Sequence, residues 1–215
     1  MPSYVIIWEN NTPGHKRVPD AHYWEGHAAI NIGSKLPPGA THWNSYVSWF
    51  PKDDLLVSEL PSHLFSSGQA GKSTSFMHDV YFEGYLPDHI VKLSSDPDKE
   101  AKMRAEWNTI NQSQGGASFH MLRSNCSTIV SRVMQAGGYY AFKWAIDNNL
   151  FWTPADVHRL ALAAGGESMS WEDFVEVLKV SGILPQHLVK KYGGQCKKAR
   201  DARLCTTGAP CKFGN

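Results

Sequence analysis

The sequence predicts an α+β protein in which a small antiparallel sheet packs on a cysteine-bearing helix and a C-terminal helical extension follows. Three observations predict it. Short strand-like runs fill the first half: YVIIW, HAAINIG and SYVSWFP. From Asn125 onward, apolar residues recur at helical spacing instead. Thr153-Pro154 then supplies an N-cap and first helical position for a further segment.

Taken in order, Tyr4 to Trp8 forms a first strand, and HAAINIG a second with Ala28, Ile30 and Ile32 on one side. SKLPPGATHWN is a long connection, and SYVSWFP is a third strand that Pro51 stops. Leu64 to Ser75, LFSSGQAGKSTS, reads as a flexible surface loop. DVYFEGYLPDHIVKLSS offers two more strands. DPDKEAKMRAEWNTINQS has an acidic first turn and an amphipathic pattern through Met103 and Trp107, so it reads as a helix. The cysteine helix runs to Gly137-Gly138, ADVHRLALAA follows Thr153-Pro154, and Ser170 caps WEDFVEVLKV. Of the aromatic residues flanking the cysteine helix, Tyr139, Tyr140, Phe142, Trp144, Phe151 and Trp152, most are expected in the core.

At 215 residues and 42% hydrophobic content the chain can bury a core of its own. Lys plus Arg (21) nearly balance Asp plus Glu (20), which excludes a global field drawing the protein to nucleic acid or an anionic membrane. No run approaches the roughly 20 apolar residues of a spanning helix, so no transmembrane segment is expected. The N-terminus has neither a basic region before its apolar run nor a small-residue cleavage site after it. Synthesis in the cytoplasm without a signal peptide is therefore expected, and any export by a leaderless route.

No cofactor or metal set is expected. GQAGKST lacks the spacing of a phosphate loop. His78-Asp79 and Asp88-His89 are adjacent pairs whose side chains diverge on a strand, so they read as surface polar residues at strand starts. Cys196, Cys205 and Cys211 follow a C-x8-C-x5-C pattern that fits no standard zinc knuckle; one disulfide with a spare thiol, or three free thiols, both fit. The basic run from 190 to 203 reads as a solvated tail or an attraction to an anionic envelope.

Cys126 carries two opposed signals. Its helical neighbours Ile129, Val130, Val133 and Met134 place it on the stripe facing the core, as a packing residue. Ser124 and Asn125 are cap-type residues, however, and they put it in the first helical turn, where backbone N–H groups and the helix dipole favour a nucleophilic thiolate and can hold an oxyanion. His27, preceded by Gly26, opens a strand on the face opposite Ala28, alongside small Ala29, which leaves room there for a packed helix. Together the two residues form the halves of a thiol nucleophile activated by a general base.

GHAAINIG, followed by YVSWFP and later by FHMLRSNCSTIVSRVMQAGG, resembles the circularly permuted papain-like hydrolases, in which the histidine strand precedes the cysteine helix. That superfamily includes NlpC-type peptidoglycan peptidases, lecithin:retinol acyltransferase-like proteins and PPPDE-type deubiquitinases. HMLRSNCSTIV with DHIVKL looks like a bacterial group among type VI secretion effectors. The resemblance spans Tyr4 to Gly138. It implies Cys126 as nucleophile, His27 as base, and a third residue that orients the imidazole. Aligning YVSW with the strand that carries this residue makes Ser48 the candidate, with His42 and Asn44 as substitutes.

The implied organisation is a permuted papain-like catalytic domain over 1–142, a helical extension over 143–192 and a weakly ordered, Cys-containing basic tail over 193–215. The implied activity is cysteine hydrolysis of an amide or ester, with the peptide moiety of peptidoglycan as preferred substrate. Lipid acyl hydrolysis or transfer, or protease or deubiquitinase-like action, is the alternative; a catalytically silent binding module is the other class. An antibacterial effector of this kind would be delivered to the periplasm of a target cell. It would meet a secretion-apparatus carrier and an immunity protein.

Overall fold

The computed structural model describes residues 2–9, 26–33, 46–51, 68–72, 76, 79, 87–112, 118–119, 124–140 and 152–180. The described strands are β1 (Tyr4–Trp8), β2 (His27–Asn31), β3 (Tyr46–Val47), β4 (Trp49–Pro51), β5 (Gly68–Lys72), β6 (His89–Lys92), β7 (Ser118–Phe119) and β8 (Glu167–Met169). The helices are α1 (Pro97–Gln112), α2 (Cys126–Ala136), α3 (Pro154–Ala163) and α4 (Trp171–Val180). The fold is α+β. Five strands form one antiparallel sheet in the order β3-β2-β1-β6-β8, and β4-β5-β7 form a second.

β1 is the centre of the larger sheet and is buried along its whole length because both faces are covered. Val5 and Ile7, with their register neighbours Ile30, Ala28 and Val91, pack under Ile129, Val130 and Val133 of α2 and Val157, Leu160 and Ala161 of α3. Tyr4, Ile6 and Trp8 face the other way, with Ala29, Phe76 and Phe174 and Leu178 of α4. Each aliphatic side chain so buried contributes roughly 1.5–3 kcal/mol.

This arrangement changes one sequence expectation. The apolar stripe of α2 lies over the Ala28, Ile30 and Ile32 face, and the Ala29 face that seemed to leave room for it is covered by α4 and Phe76 instead. Branched side chains on β2 give α2 more surface to bury than Ala29 does.

SYVSWFP does not run as one strand. Tyr46 and Val47 pair with β2, Trp49 to Pro51 pair with β5, and Ser48 stands at the break. The expected loop over Leu64 to Ser75 contains a strand, since Gly68–Lys72 pairs with both β4 and β7. Its glycines give no strand signal, and pairing on both sides supplies the backbone hydrogen bonds that propensity does not. Of the two strands expected in DVYFEGYLPDHIVKLSS, β6 is present and the segment 80–86 lies outside the described residues.

The helices begin where their caps direct. Asp96 Oδ1 accepts from the N–H groups of Asp98 (3.0 Å) and Lys99 (3.2 Å) at the start of α1. Asn125 caps α2, Thr153 and Asp156 form a full capping box on α3, and Ser170 Oγ accepts from Asp173 N at 3.1 Å on α4. α1 lays Met103 against the end of α2, where a Cβ on Gly137 would fall 2.6 Å from Met103 Cγ.

The C-terminal elements complete the sheet's two faces. α3 lies on one, and Gly165 at φ 86 turns the chain into β8, which extends the sheet edge beside β6. α4 then covers the opposite face. β8 has no strand signal of its own, since Glu-Ser-Met has a weak strand pattern. Tyr139 and Trp152 pack as expected, Tyr140 is exposed, and Phe142, Trp144 and Phe151 lie outside the described residues, as does the tail with Cys196, Cys205 and Cys211. No helix among the described residues is long and apolar enough to cross a membrane.

Candidate active site

His27 is the first residue of β2, directly after Gly26, whose φ of 71 lets the chain turn sharply into the strand. Its register partner is Trp8, and the indole and imidazole centroids stand 5.4 Å apart. The imidazole is 1% exposed and packed against this ring, so it has few rotamers available. Cys126 is the first residue of α2.

The structure brings His27 and Cys126 together. Cys126 acts directly on the ring, since its charge and its side-chain hydrogen bonding both favour the protonated imidazole. Cys126 is also half-buried against the core beneath α2, so the two opposed sequence signals both hold. Its Sγ stands 3.8 Å from Ser127 Oγ.

The other edge of the imidazole faces a buried polar set. His27 Nε2 lies 3.1 Å from Ser48 Oγ and 3.3 Å from Asp79 Oδ2. Ser48 Oγ donates to Asp79 Oδ1 at 3.1 Å, and Tyr46 OH donates to Asp79 Oδ2 at 2.5 Å. Because the Ser48 proton is directed to Asp79, its oxygen is left to accept from Nε2–H. One carboxylate thus receives a phenol, a hydroxyl and an imidazole N–H. Ser48 and Asp79 are both 0% exposed.

Asp79 corrects the sequence reading, which took it for a surface polar residue at a strand start. It has helical backbone, as does Phe76, and both are buried. Phe76 meets Trp8, with ring centroids 6.2 Å apart, while Asp79 meets Trp8's register partner His27. An aromatic residue followed three positions later by an acid was the available signal. Ser48 is in the set as expected; His42, Asn44 and His78 lie outside the described residues.

The electrostatics of His27 follow from this packing. Burial acts most strongly and disfavours the charged ring, but the Cys126 and Asp79 charges and the hydrogen bonds that the ring donates to Asp79 and Cys126 together outweigh it. The net result holds the His27 pKa well above the ordinary 6.5.

The first turn of α2 is itself fixed from both ends of the Asn125 side chain. Asn125 Oδ1 accepts from Thr128 N at 2.7 Å and Thr128 Oγ1 at 3.0 Å, and Nδ2 donates to Trp152 O at 2.9 Å. The start of α3 is thereby tied to the start of α2, beside the thiol.

A second titratable cluster lies where β1 ends, among Glu9, His89 and His158. Burial and the neighbouring His89 lower the pKa of His158, against an opposing contribution from Glu9.

Residues 99–169 match the family described as the IcsB middle domain, a domain of a secreted bacterial effector. The matched segment contains Cys126 and its helix and stops short of His27, Ser48 and Asp79. Neither the curated proteins nor the solved structures contain a match to the chain.

Proposed function

We propose that this protein is a cysteine hydrolase of permuted papain-like architecture, with Cys126 as nucleophile, His27 as general acid–base and Asp79 as the residue that positions the imidazole. The observation that carries the reading is the buried His27 ring, which stands 3.3 Å from Asp79 Oδ2 while Cys126 acts on the same ring by charge and hydrogen bonding. Ser48 and Tyr46 support Asp79 from its other side.

Nε2 is committed to Asp79 and Ser48, which leaves Nδ1 to face the thiol. The thiolate attacks the carbonyl carbon of an amide or ester, a C–S bond forms and the carbonyl electrons move onto oxygen. Backbone N–H groups of the first turn of α2 have no acceptor within the helix and hold that oxyanion. As the tetrahedral species collapses, His27 gives its proton to the departing amine or alkoxide. Water then attacks the thioester while His27 accepts its proton, and the thiolate is expelled with the acyl group released as a carboxylic acid.

The proposed substrate is the peptide moiety of peptidoglycan, cleaved by an antibacterial effector acting in the periplasm of a target cell. The similarity to a secreted effector's domain supports that setting. An immunity protein that covers the cleft and a secretion-apparatus carrier are its proposed partners.

The test is mass spectrometry of purified peptidoglycan, acylated lipid and a protein mixture after incubation with the parent and with Cys126→Ala. New peptide termini in peptidoglycan from the parent alone are expected. Cleavage confined to lipid or protein would keep the mechanism and replace the substrate, and equal products from both proteins would remove Cys126 from the chemistry.

A further inference from the structure

Glu9, His89 and His158 come from the end of β1, the start of β6 and the second turn of α3. Alternation and register put all three on the α3 side of the sheet, since His89 is the cross-strand partner of Ile7 and Glu9 is two residues beyond it. Glu9 Oε1 lies 3.4 Å from His89 Nε2 and also 3.4 Å from His158 Nδ1. One ligand atom from each residue falls within 4.8 Å of the others.

We propose that these three side chains bind a divalent transition-metal ion of the zinc type, with a fourth position open to water. Bonds of about 2.0–2.2 Å from zinc to imidazole nitrogen and carboxylate oxygen, at tetrahedral angles, place neighbouring ligand atoms about 3.4 Å apart. Two edges of the triangle already have that length. The donor set, two imidazoles and one carboxylate, suits zinc, cobalt or nickel better than calcium or magnesium, which prefer all-oxygen shells.

The surroundings hold the ligands in place. Asp88 Oδ2 accepts from Glu9 N at 2.7 Å, and Asp88 N donates to Ile7 O at 2.8 Å, so the two strand ends that carry Glu9 and His89 are joined directly. The His89 and His158 rings stack at 4.0 Å with an interplanar angle of 17°, which limits their rotation. Side-chain exposures of 39% for His89, 26% for Glu9 and 17% for His158 leave a route for the ion from solvent.

Such an ion would clamp β1, β6 and α3 together. α3 begins at the backbone that Asn125 holds, so the clamp would bear on the same helix start as the thiol without contributing a group to the proposed reaction. Adjacent-pair reading concealed the set because its members stand at positions 9, 89 and 158. Asp88 does diverge from His89, as an adjacent strand residue must, and supports Glu9 from behind.

The experiment uses the full chain without an affinity tag, stripped with chelator and with every thiol blocked by iodoacetamide, so that neither Cys126 nor the tail cysteines compete for metal. Calorimetric titration with Zn2+ and absorbance titration with Co2+ should each give one site, with Co2+ developing visible d–d bands and no thiolate charge-transfer band. Saturating Zn2+ should raise the melting temperature, because a ligand that binds only the folded state stabilises it. His89→Gln with His158→Gln should abolish the site while the melting temperature in chelator stays near the parent's. Should that double variant fail to fold, Glu9→Gln at the partly exposed carboxylate makes the same comparison and should weaken binding at least tenfold. Unchanged Zn2+ affinity in a folded variant, or a parent that takes up no Zn2+ at micromolar concentration, would overturn the site. Peptidoglycan cleavage plays no part in this readout, so the two proposals stand or fall separately.

Discussion

Asp79 Oδ2 lies 3.3 Å from His27 Nε2 across 52 positions of sequence, and the same carboxylate takes hydrogen bonds from Tyr46 and Ser48. The imidazole is thereby held by an acid, and Ser48 bridges the two groups. A ranking of variants follows. Asp79→Asn should lower kcat by about 10³–10⁴-fold, because it removes the charge that fixes the tautomer of the base. Ser48→Ala should keep much more activity, with a loss on the order of tenfold, since Asp79 still reaches Nε2 directly. Steady-state kinetics at matched melting temperatures decide it, and a deeper loss for Ser48→Ala would make the serine the orienting group.

Cys126→Ala should abolish turnover while costing about 1 kcal/mol or less in urea unfolding, because it removes one half-buried sulfur from a face still filled by Ile129, Val130 and Val133. In the parent, iodoacetamide should label Cys126 readily, beside the charged ring of His27. Labelling should slow markedly in His27→Ala. Mass mapping of the labelled peptide over time tests both statements, and a rate indifferent to residue 27 would mark the thiol as structural.

The raised pKa of His27 also predicts how stability depends on pH. A histidine whose folded pKa exceeds its unfolded value contributes stability that is fully present below about 6.5 and is lost as pH climbs through the folded pKa. Melting temperature should therefore fall as pH rises above 6.5 in the parent, and the fall should flatten in His27→Ala. In Cys126→Ala the favourable thiol charge and hydrogen bond are absent, so the same loss should occur at lower pH. Calorimetric scans across neutral and alkaline pH measure the three curves, and identical slopes in all of them would refute the assignment.

Asn125→Ala removes the acceptor for Thr128 N and the donor to Trp152 O together. Loss of an N-cap of this kind costs about 0.5–2 kcal/mol, and the added tie to α3 places this one toward the upper end. Activity should fall as well, since the proposed oxyanion donors belong to the turn that the cap orders. Asn125→Ser, which can still accept from the helix N–H but cannot reach Trp152, should recover most of the stability. Urea unfolding of the two variants separates the cap from the tie.

The sequence by itself determined where the local elements begin. The β-branched YVIIW run, the Asn125, Thr153 and Ser170 caps and the apolar stripe of α2 each encode short-range physics, and each appears where it was expected. Cys126 and His27 were legible for the same reason: a helix start and a strand start are local features with local chemistry. Tertiary structure alone decided which face of β2 the helix covers, because that depends on the total surface buried by α2, α3 and α4 and not on one strand's alternation. It alone raised Gly68–Lys72 and Glu167–Met169 to strands, since neighbours on each side supplied hydrogen bonds that neither segment's propensity would predict. It also moved Asp79 from the expected surface to a fully buried place against His27, where Tyr46 and Ser48 offset the cost of taking a carboxylate out of water. The Glu9, His89 and His158 cluster belongs to the same class: each residue reads locally as an ordinary polar side chain, and only the packing of α3 across the ends of β1 and β6 gives the three a common centre.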